Sequence, residues 1–170
     1  MKKIFSFILL FILLTADILY AGLRTGDQAP TFSLRDREGN DFYLSHIVGV
    51  TSKKKSEGVI LSFFATWCKP CKKELPLINS LVDNLNEKNI QVIIVGMKED
   101  FNSILPLLSE LGVDKPIILS DRYGKVSEKY HIRSLPVTFF IGADGRIKDI
   151  IYGEISNVKK FNMSVSKLLR

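Results

Sequence analysis

The stretch Val59-Ile60-Leu61-Ser62-Phe63-Phe64-Ala65-Thr66-Trp67-Cys68-Lys69-Pro70-Cys71-Lys72-Lys73-Glu74-Leu75-Pro76 decides the fold. Val59 to Ala65 is an apolar run broken only by Ser62. Its length and composition predict a strand buried on both faces, as in a parallel sheet. After Cys68 the period changes. Leu75, Ile78, Leu81, Val82 and Leu85 recur at spacings of three and four, which predicts a helix from Lys69 to Lys88. Pro70 suits its first turn, where a missing N–H has no intrahelical partner to lose. Pro76 lies inside the pattern and predicts a kink.

Working outward towards the C-terminus, Ile90 to Gly96 is a second buried strand and Phe101 to Leu111 a helix stopped by Gly112. Pro116 to Leu119 is a short strand and Tyr123 to Tyr130 a short helix. Pro136 opens the strand Val137 to Ile141. A turn at Ala143-Asp144-Gly145-Arg146 then leads to the returning strand Ile147 to Tyr152. Ser156 is positioned to cap a last helix with the apolar stripe Val158, Phe161, Val165, Leu168 and Leu169. Towards the N-terminus, Thr31 to Leu34 and Asp41 to Leu44 flank a turn at Gly39 and predict a small hairpin. The alternation of strands and helices implies an α/β fold. It has a central mixed sheet with parallel pairs, helices on both faces and an added N-terminal β-hairpin.

The chain has 170 residues, 46% hydrophobic and 25% charged, which is enough apolar material for the core of one domain. Residues 1–21 stand apart. Lys2 and Lys3 precede an apolar run from Ile4 to Leu14, the pattern of an export signal peptide. Cleavage fits best after Ala21, with Ala16 second. Leu19 is large for its place before that site, so an uncleaved N-terminal anchor stays open. Asp17 argues against it by ending the apolar run short of the ~20 residues a span needs. Residues 22–170 then form the domain. The formal net charge is +6, or +5 without residues 1–21, and Lys53, Lys54 and Lys55 hold part of it. No nucleic-acid motif accompanies that charge.

An exported chain with two cysteines is not a disulfide-stapled scaffold. Two residues separate Cys68 from Cys71, and so short a loop adds little chain-entropy stabilisation. Chemistry is the better reason for the pair. A cysteine at a helix start faces unpaired N–H groups and the positive end of the dipole, which favour thiolate. Cys68 is therefore assigned as the nucleophile and Cys71, one turn later, as the thiol that resolves a mixed disulfide. A zinc site needs about four ligands, and His46 and His131, the two histidines, follow no ligand spacing. No metal and no cofactor beyond the Cys68–Cys71 couple is expected.

The segment from Phe63 to Pro76 closely resembles the TlpA/ResA-like branch of exported thioredoxins. Leu135-Pro136-Val137-Thr138-Phe139-Phe140-Ile141, with Asp144-Gly145, is similar to that family's cis-proline strand and hairpin. Gly26-Asp27-Gln28-Ala29-Pro30, with Phe32 and Leu34, is similar to the entry segment shared with peroxiredoxins. The resemblance spans residues 24–170 and implies a thioredoxin-like fold. It also implies that Pro136 is cis and presents the backbone of Leu135 to an extended thiol substrate beside the cysteines.

Glu74 lies three residues after Cys71, on the neighbouring helix surface. The resemblance implies that it accepts the Cys71 proton. Its alternative is an exposed carboxylate that stabilises the helix dipole. Thioredoxins proper carry a buried aspartate six residues before the first cysteine, and Ser62 stands there in this chain. Ser62 cannot act as a base, which places more weight on Glu74. Lys69 adds positive charge near the Cys68 thiolate or is simply solvated. Trp67 covers the disulfide and offers substrates an apolar face, or is a packed aromatic. With Pro70, these residues form the expected substrate-binding rim.

The leading reading is a protein-disulfide reductase of the periplasm or the extracytoplasmic face of the cell envelope. Its clients would be oxidised protein thiols such as apocytochrome c haem-site cysteines, and a membrane thiol–disulfide electron transporter would recharge it. An oxidase of exported proteins is the alternative, because direction depends on reduction potential. A copper metallochaperone on the same fold is another, since two thiolates and a histidine suit copper(I). A peroxiredoxin-like peroxidase needs a proline and a threonine or serine where Leu61 and Ala65 stand.

Overall fold

The computed structural model describes residues 22–52 and 56–169. The export-signal or anchor reading of residues 1–21 and the run Lys53, Lys54 and Lys55 lie outside the described residues. Strand β1 (Ser33–Arg35) pairs antiparallel with β2 (Asp41–Tyr43) in a sheet of their own. A 3-10 turn follows at Leu44–His46. The predicted hairpin is thus present. Its strands are short because Asp36 turns the chain, accepting the Asn40 N–H at 2.8 Å through its carboxylate.

The main sheet has five strands in the order β5-β4-β3-β6-β7. Strand β3 (Gly58–Phe64) lies at its centre, buried at every residue. It pairs parallel with β4 (Ile90–Met97) and antiparallel with β6 (Val137–Gly142). Strand β5 (Ile117–Asp121) adds parallel to β4, and β7 (Ile147–Tyr152) antiparallel to β6. A central strand flanked on both sides explains the continuous apolar run: both faces of β3 meet core.

The alternation of β3 sorts that core. Val59, Leu61 and Phe63 pack with Tyr130 and Phe139 under the hairpin, Leu44 and the short helix α3 (Lys125–Lys129). Ile60 and Phe64 face the other side. There they meet α1 (Lys69–Glu87), α2 (Phe101–Glu110) and α4 (Val158–Leu168). Gly58 permits close packing at the start of the strand. A Cβ there would sit 2.7 Å from the Ile141 carbonyl oxygen and 3.2 Å from Leu168.

Helix α1 buries Cys71, Glu74, Leu75, Ile78, Val82 and Leu85 along one face and continues through Pro76. Helix α2 ends as expected at Gly112, whose φ of +65° suits glycine. The Gly112 N–H donates to Ser109 and the Val113 N–H to Leu108, the paired bonds of a Schellman stop. Two expectations for α4 need correction. Asn157, not Ser156, caps it, its side-chain oxygen accepting from the N–H groups of Lys159 and Lys160. Its buried stripe is Phe161, Ser164, Val165 and Leu168, while Val158 and Leu169 are exposed at the two ends. Among the described residues no helix is long and apolar enough to cross a membrane.

Candidate active site

The site forms where β3 ends and α1 begins. The chain leaves Phe64 and turns, with the Cys68 N–H donating to the Ala65 carbonyl at 3.1 Å. Glu99, just past the end of β4, grips this turn. Its carboxylate accepts the Thr66 N–H at 2.8 Å and the Thr66 hydroxyl at 2.5 Å. The Ser120 hydroxyl donates to the Glu99 carbonyl at 2.7 Å and fixes Glu99 in turn. Thr66 is thereby tied, through Glu99, to the C-terminal ends of β4 and of β5 beyond it.

Cys68 caps α1. Its Sγ accepts the Cys71 N–H at 3.2 Å, one of the donors that a helix start leaves unpaired. Cys68 and Cys71 are joined by a disulfide. Cys68 retains 4% exposure and Cys71 none, so an approaching sulfur reaches Cys68 first. Phe64, Ala65, Leu75, Ile94 and Ile104 surround the pair, with Phe101 and Leu135 packed against the same cluster. Trp67 is 68% exposed, so it is not a packed aromatic and its ring faces solvent beside Cys68. Lys69 is exposed and Pro70 half-buried in the first turn, as the sequence pattern placed them. The Leu135–Pro136 bond is cis, as the resemblance implied, and Pro136 is buried at the start of β6.

Glu74 is 1% exposed, which rules out the solvated-carboxylate alternative. Burial pushes its carboxyl up to about 7, against the opposing pull of hydrogen bonds from the Ile155 N–H and Ser62, while Glu154 adds to the rise. The Ile155 N–H donates at 2.9 Å and the Ser62 hydroxyl at 3.4 Å. Thr138, on β6, donates to Ser62 at 3.0 Å. A polar thread thus runs from β6 through β3 to α1 and on to the segment after β7. It holds a carboxyl poised near neutrality one turn behind Cys71. Desolvation without a nearby cation is the physical cause of that poise.

The structure brings Cys68, Cys71 and Leu135 into one cluster and sets Pro136 and Glu74 beside it in the fold. His46 stacks on Tyr43 and His131 is exposed at a φ of +52°. Sequence reasoning missed Glu99, Thr138 and the part played by Ser62. The signal for Glu99 was register: Phe64 pairs with Gly96, which runs the residues beyond both strand ends alongside each other.

Residues 25–150 match the AhpC/TSA family. The thiol-disulfide oxidoreductase ResA of Geobacillus kaustophilus is 34% identical over 131 residues, covering 77% of this chain and 71% of that protein. The protein of the same name from Bacillus cereus is 32% identical over 166 residues, covering 91% of each. Among solved structures, a candidate thiol:disulfide interchange protein DsbE from Chlorobium tepidum superposes with a TM-score of 0.75 at 25% identity. It covers 87% of this chain and 99% of that one.

Proposed function

The chain belongs to the AhpC/TSA family, among thiol–disulfide oxidoreductases of the ResA type, and from that premise we propose that it reduces protein disulfides outside the cytoplasm. The observation that carries the reading is the graded burial of one helix face: Cys68 at the rim, Cys71 sealed, and Glu74 sealed behind it with a carboxyl near 7. In the reduced protein the Cys68 thiolate attacks one sulfur of the client disulfide. That bond breaks, a mixed disulfide forms, and the first client sulfur leaves as thiolate and takes a proton from solvent. Cys71 passes its proton to the Glu74 carboxylate, and its thiolate attacks the Cys68 sulfur. The mixed disulfide breaks and the second client thiolate leaves. The client has gained two electrons and the protein is left as the Cys68–Cys71 disulfide.

The couple needs no bound cofactor, since the two sulfurs hold the electron pair. Recharging takes an external dithiol, and a membrane thiol–disulfide electron transporter fits an exported protein. Clients of the apocytochrome c type, with paired cysteines in an extended segment, suit a rim made of Trp67, Lys69, Pro70, Leu135 and Pro136. Export follows from residues 1–21, read as a signal peptide or anchor.

The direction of electron flow is tested by equilibrating the protein in glutathione buffers and following Trp67 fluorescence. A potential near about −270 mV supports the reductase. A potential near about −120 mV would instead make it an oxidase of exported proteins.

A further inference from the structure

A cleft of about 590 Å³ opens at the carboxyl ends of β4 and β5, between β1 and the short helix α3. Cys68 follows the carboxyl end of β3, parallel to both, so the cleft and the cysteine share one edge of the sheet. Two connections join them. Phe101 lines the cleft and packs against the cluster that holds Cys68 and Cys71. Ser120, also in the lining, bonds to Glu99, which grips Thr66 two residues before Cys68.

The charge of the cleft is one-sided. Arg35, Arg122, Lys125 and Lys129 line it, and all four are exposed. Its one lining carboxylate, Asp121, is buried and committed elsewhere. It accepts the N–H groups of Val126 and Ser127 and the Ser127 hydroxyl. Arg35 pairs with Asp41 at 3.7 Å and Lys125 with Glu128 at 3.4 Å, exposed pairs that leave both cations largely available. Arg122 lies 5.9 Å from the ring centre of Tyr123, a tyrosine 77% exposed. Lys69, Lys72 and Lys73, all exposed in the first turn of α1, extend the positive field around Cys68.

We propose that this cleft docks an acidic, extended segment of the client polypeptide next to the disulfide presented to Cys68. The inference rests on the oxidoreductase reading and adds a substrate preference to it. The cations are long and exposed and come from three places in the fold, Arg35 from β1, Arg122 from the turn after β5, and Lys125 and Lys129 from α3, of which Lys129 also donates to the Thr31 carbonyl at 3.3 Å. Such an arrangement suits several carboxylates along a chain better than one small anion. Phe101 and Tyr123 supply apolar surface for the stems of such side chains. A field of this kind acts mainly on the rate of encounter.

The test compares the reduced wild-type protein with the double variant R122E/K125E. Three neutral-to-acidic disulfides are offered: hydroxyethyl disulfide, a disulfide-bonded peptide with an Asp/Glu-rich flank, and the same peptide with Asn/Gln in that flank. The expected result is a preference of wild type for the acidic peptide that fades at high salt. In R122E/K125E the rate on that peptide falls about tenfold, with hydroxyethyl disulfide unaffected. Equal rates on both peptides, or a variant slowed on all three disulfides alike, overturns the docking inference. Failure of wild type to reduce even hydroxyethyl disulfide overturns the oxidoreductase reading instead. Loss of phosphatidylglycerol vesicle binding in the variant, with its peptide preference intact, assigns the cleft to a membrane surface and likewise overturns the inference.

Discussion

The two halves of the site differ in what holds them. The outer half, Trp67 to Lys69, sits on a turn gripped by Glu99; Trp67 and Lys69 are exposed, and Cys68 between them shows solvent only a thin rim of its surface. The inner half, Cys71 and Glu74 with Ser62 and Thr138, is sealed and held by a thread of hydrogen bonds across three strands or helices. Cys68 caps α1 and Cys71 lies within its first turn, so the cap is built for contact and the buried face behind it, Cys71 with Glu74, for proton handling. A spacing of two residues between cysteines thus suffices to put one sulfur at the rim of a buried cluster and the other fully inside it. The sulfur at the rim is the one that clients reach. The buried one is shielded from them and acts only on the sulfur beside it.

The comparison is broken most severely at the sulfurs. Cys68→Ser should abolish reduction of any disulfide. Cys71→Ser should instead accumulate a mixed disulfide with the client, seen as a band that dithiothreitol releases. If Cys71, rather than Cys68, is the cysteine found in the trapped species, the assignment of halves is reversed.

The next largest effect concerns the inner half and pH. Burial raises the folded carboxyl of Glu74 above its ordinary 4.5 to about 7. Between those values the folded protein holds a proton that the unfolded chain has released. The stability linked to that proton is fully present below about pH 4.5 and lost as pH rises through about 7. Oxidised wild type should therefore lose up to about 3 kcal/mol relative to Glu74→Gln between pH 5 and pH 8. Urea denaturation at the two pH values measures it, and parallel behaviour of the two proteins counts against a buried, poised carboxyl.

Not all of this was legible in the sequence. The strand before Cys68 and the helix after it were, because a continuous apolar run and a three-four period each have one reading at that length. Glu74 was half legible. It falls on the stripe with Cys71, Leu75 and Ile78, but a carboxylate on an apolar stripe near a helix start can equally turn to solvent. Only the strand β6 and the segment at Ile155, packed over it, decide for burial. Glu99 was not legible, since its partner Thr66 is 33 residues away and the pairing depends on strand register. The cap of α4 was misplaced by one residue because Ser156 and Asn157 are adjacent and both suit the role; the turn geometry chooses Asn157. The cis bond came from resemblance, as no local pattern distinguishes it.

Smaller effects sharpen the comparison. Glu99→Ala removes both partners of Thr66 and should cost about 2 kcal/mol, within the range for a part-buried backbone donor left unsatisfied plus a lost charged bond. The variant should also show faster amide exchange at Thr66 and Trp67, with the pH dependence of Glu74 intact. A changed Glu74 titration would mean that the two halves are coupled rather than separate. Ser62→Ala should cost about 1 kcal/mol and raise the Glu74 carboxyl further, since one of the bonds that lowers it is gone. Infrared titration of the carboxyl reads that shift, and a fall would contradict the thread as described.

The most direct test of the division of labour is the pH dependence of the second chemical step. A mixed disulfide is formed on Cys68 in rapid-mixing experiments, and its resolution by Cys71 is followed from pH 5 to pH 9 in wild type and in Glu74→Gln. Resolution in wild type should rise with an inflection near 7, as the carboxylate becomes able to accept the Cys71 proton. In Glu74→Gln that inflection should vanish and the rate near neutrality should fall about a hundredfold, the lower end of the roughly 10² to 10⁴ that general base catalysis contributes. Identical profiles for the two proteins would contradict it, leaving Glu74 as a buried structural carboxyl with no part in moving the proton.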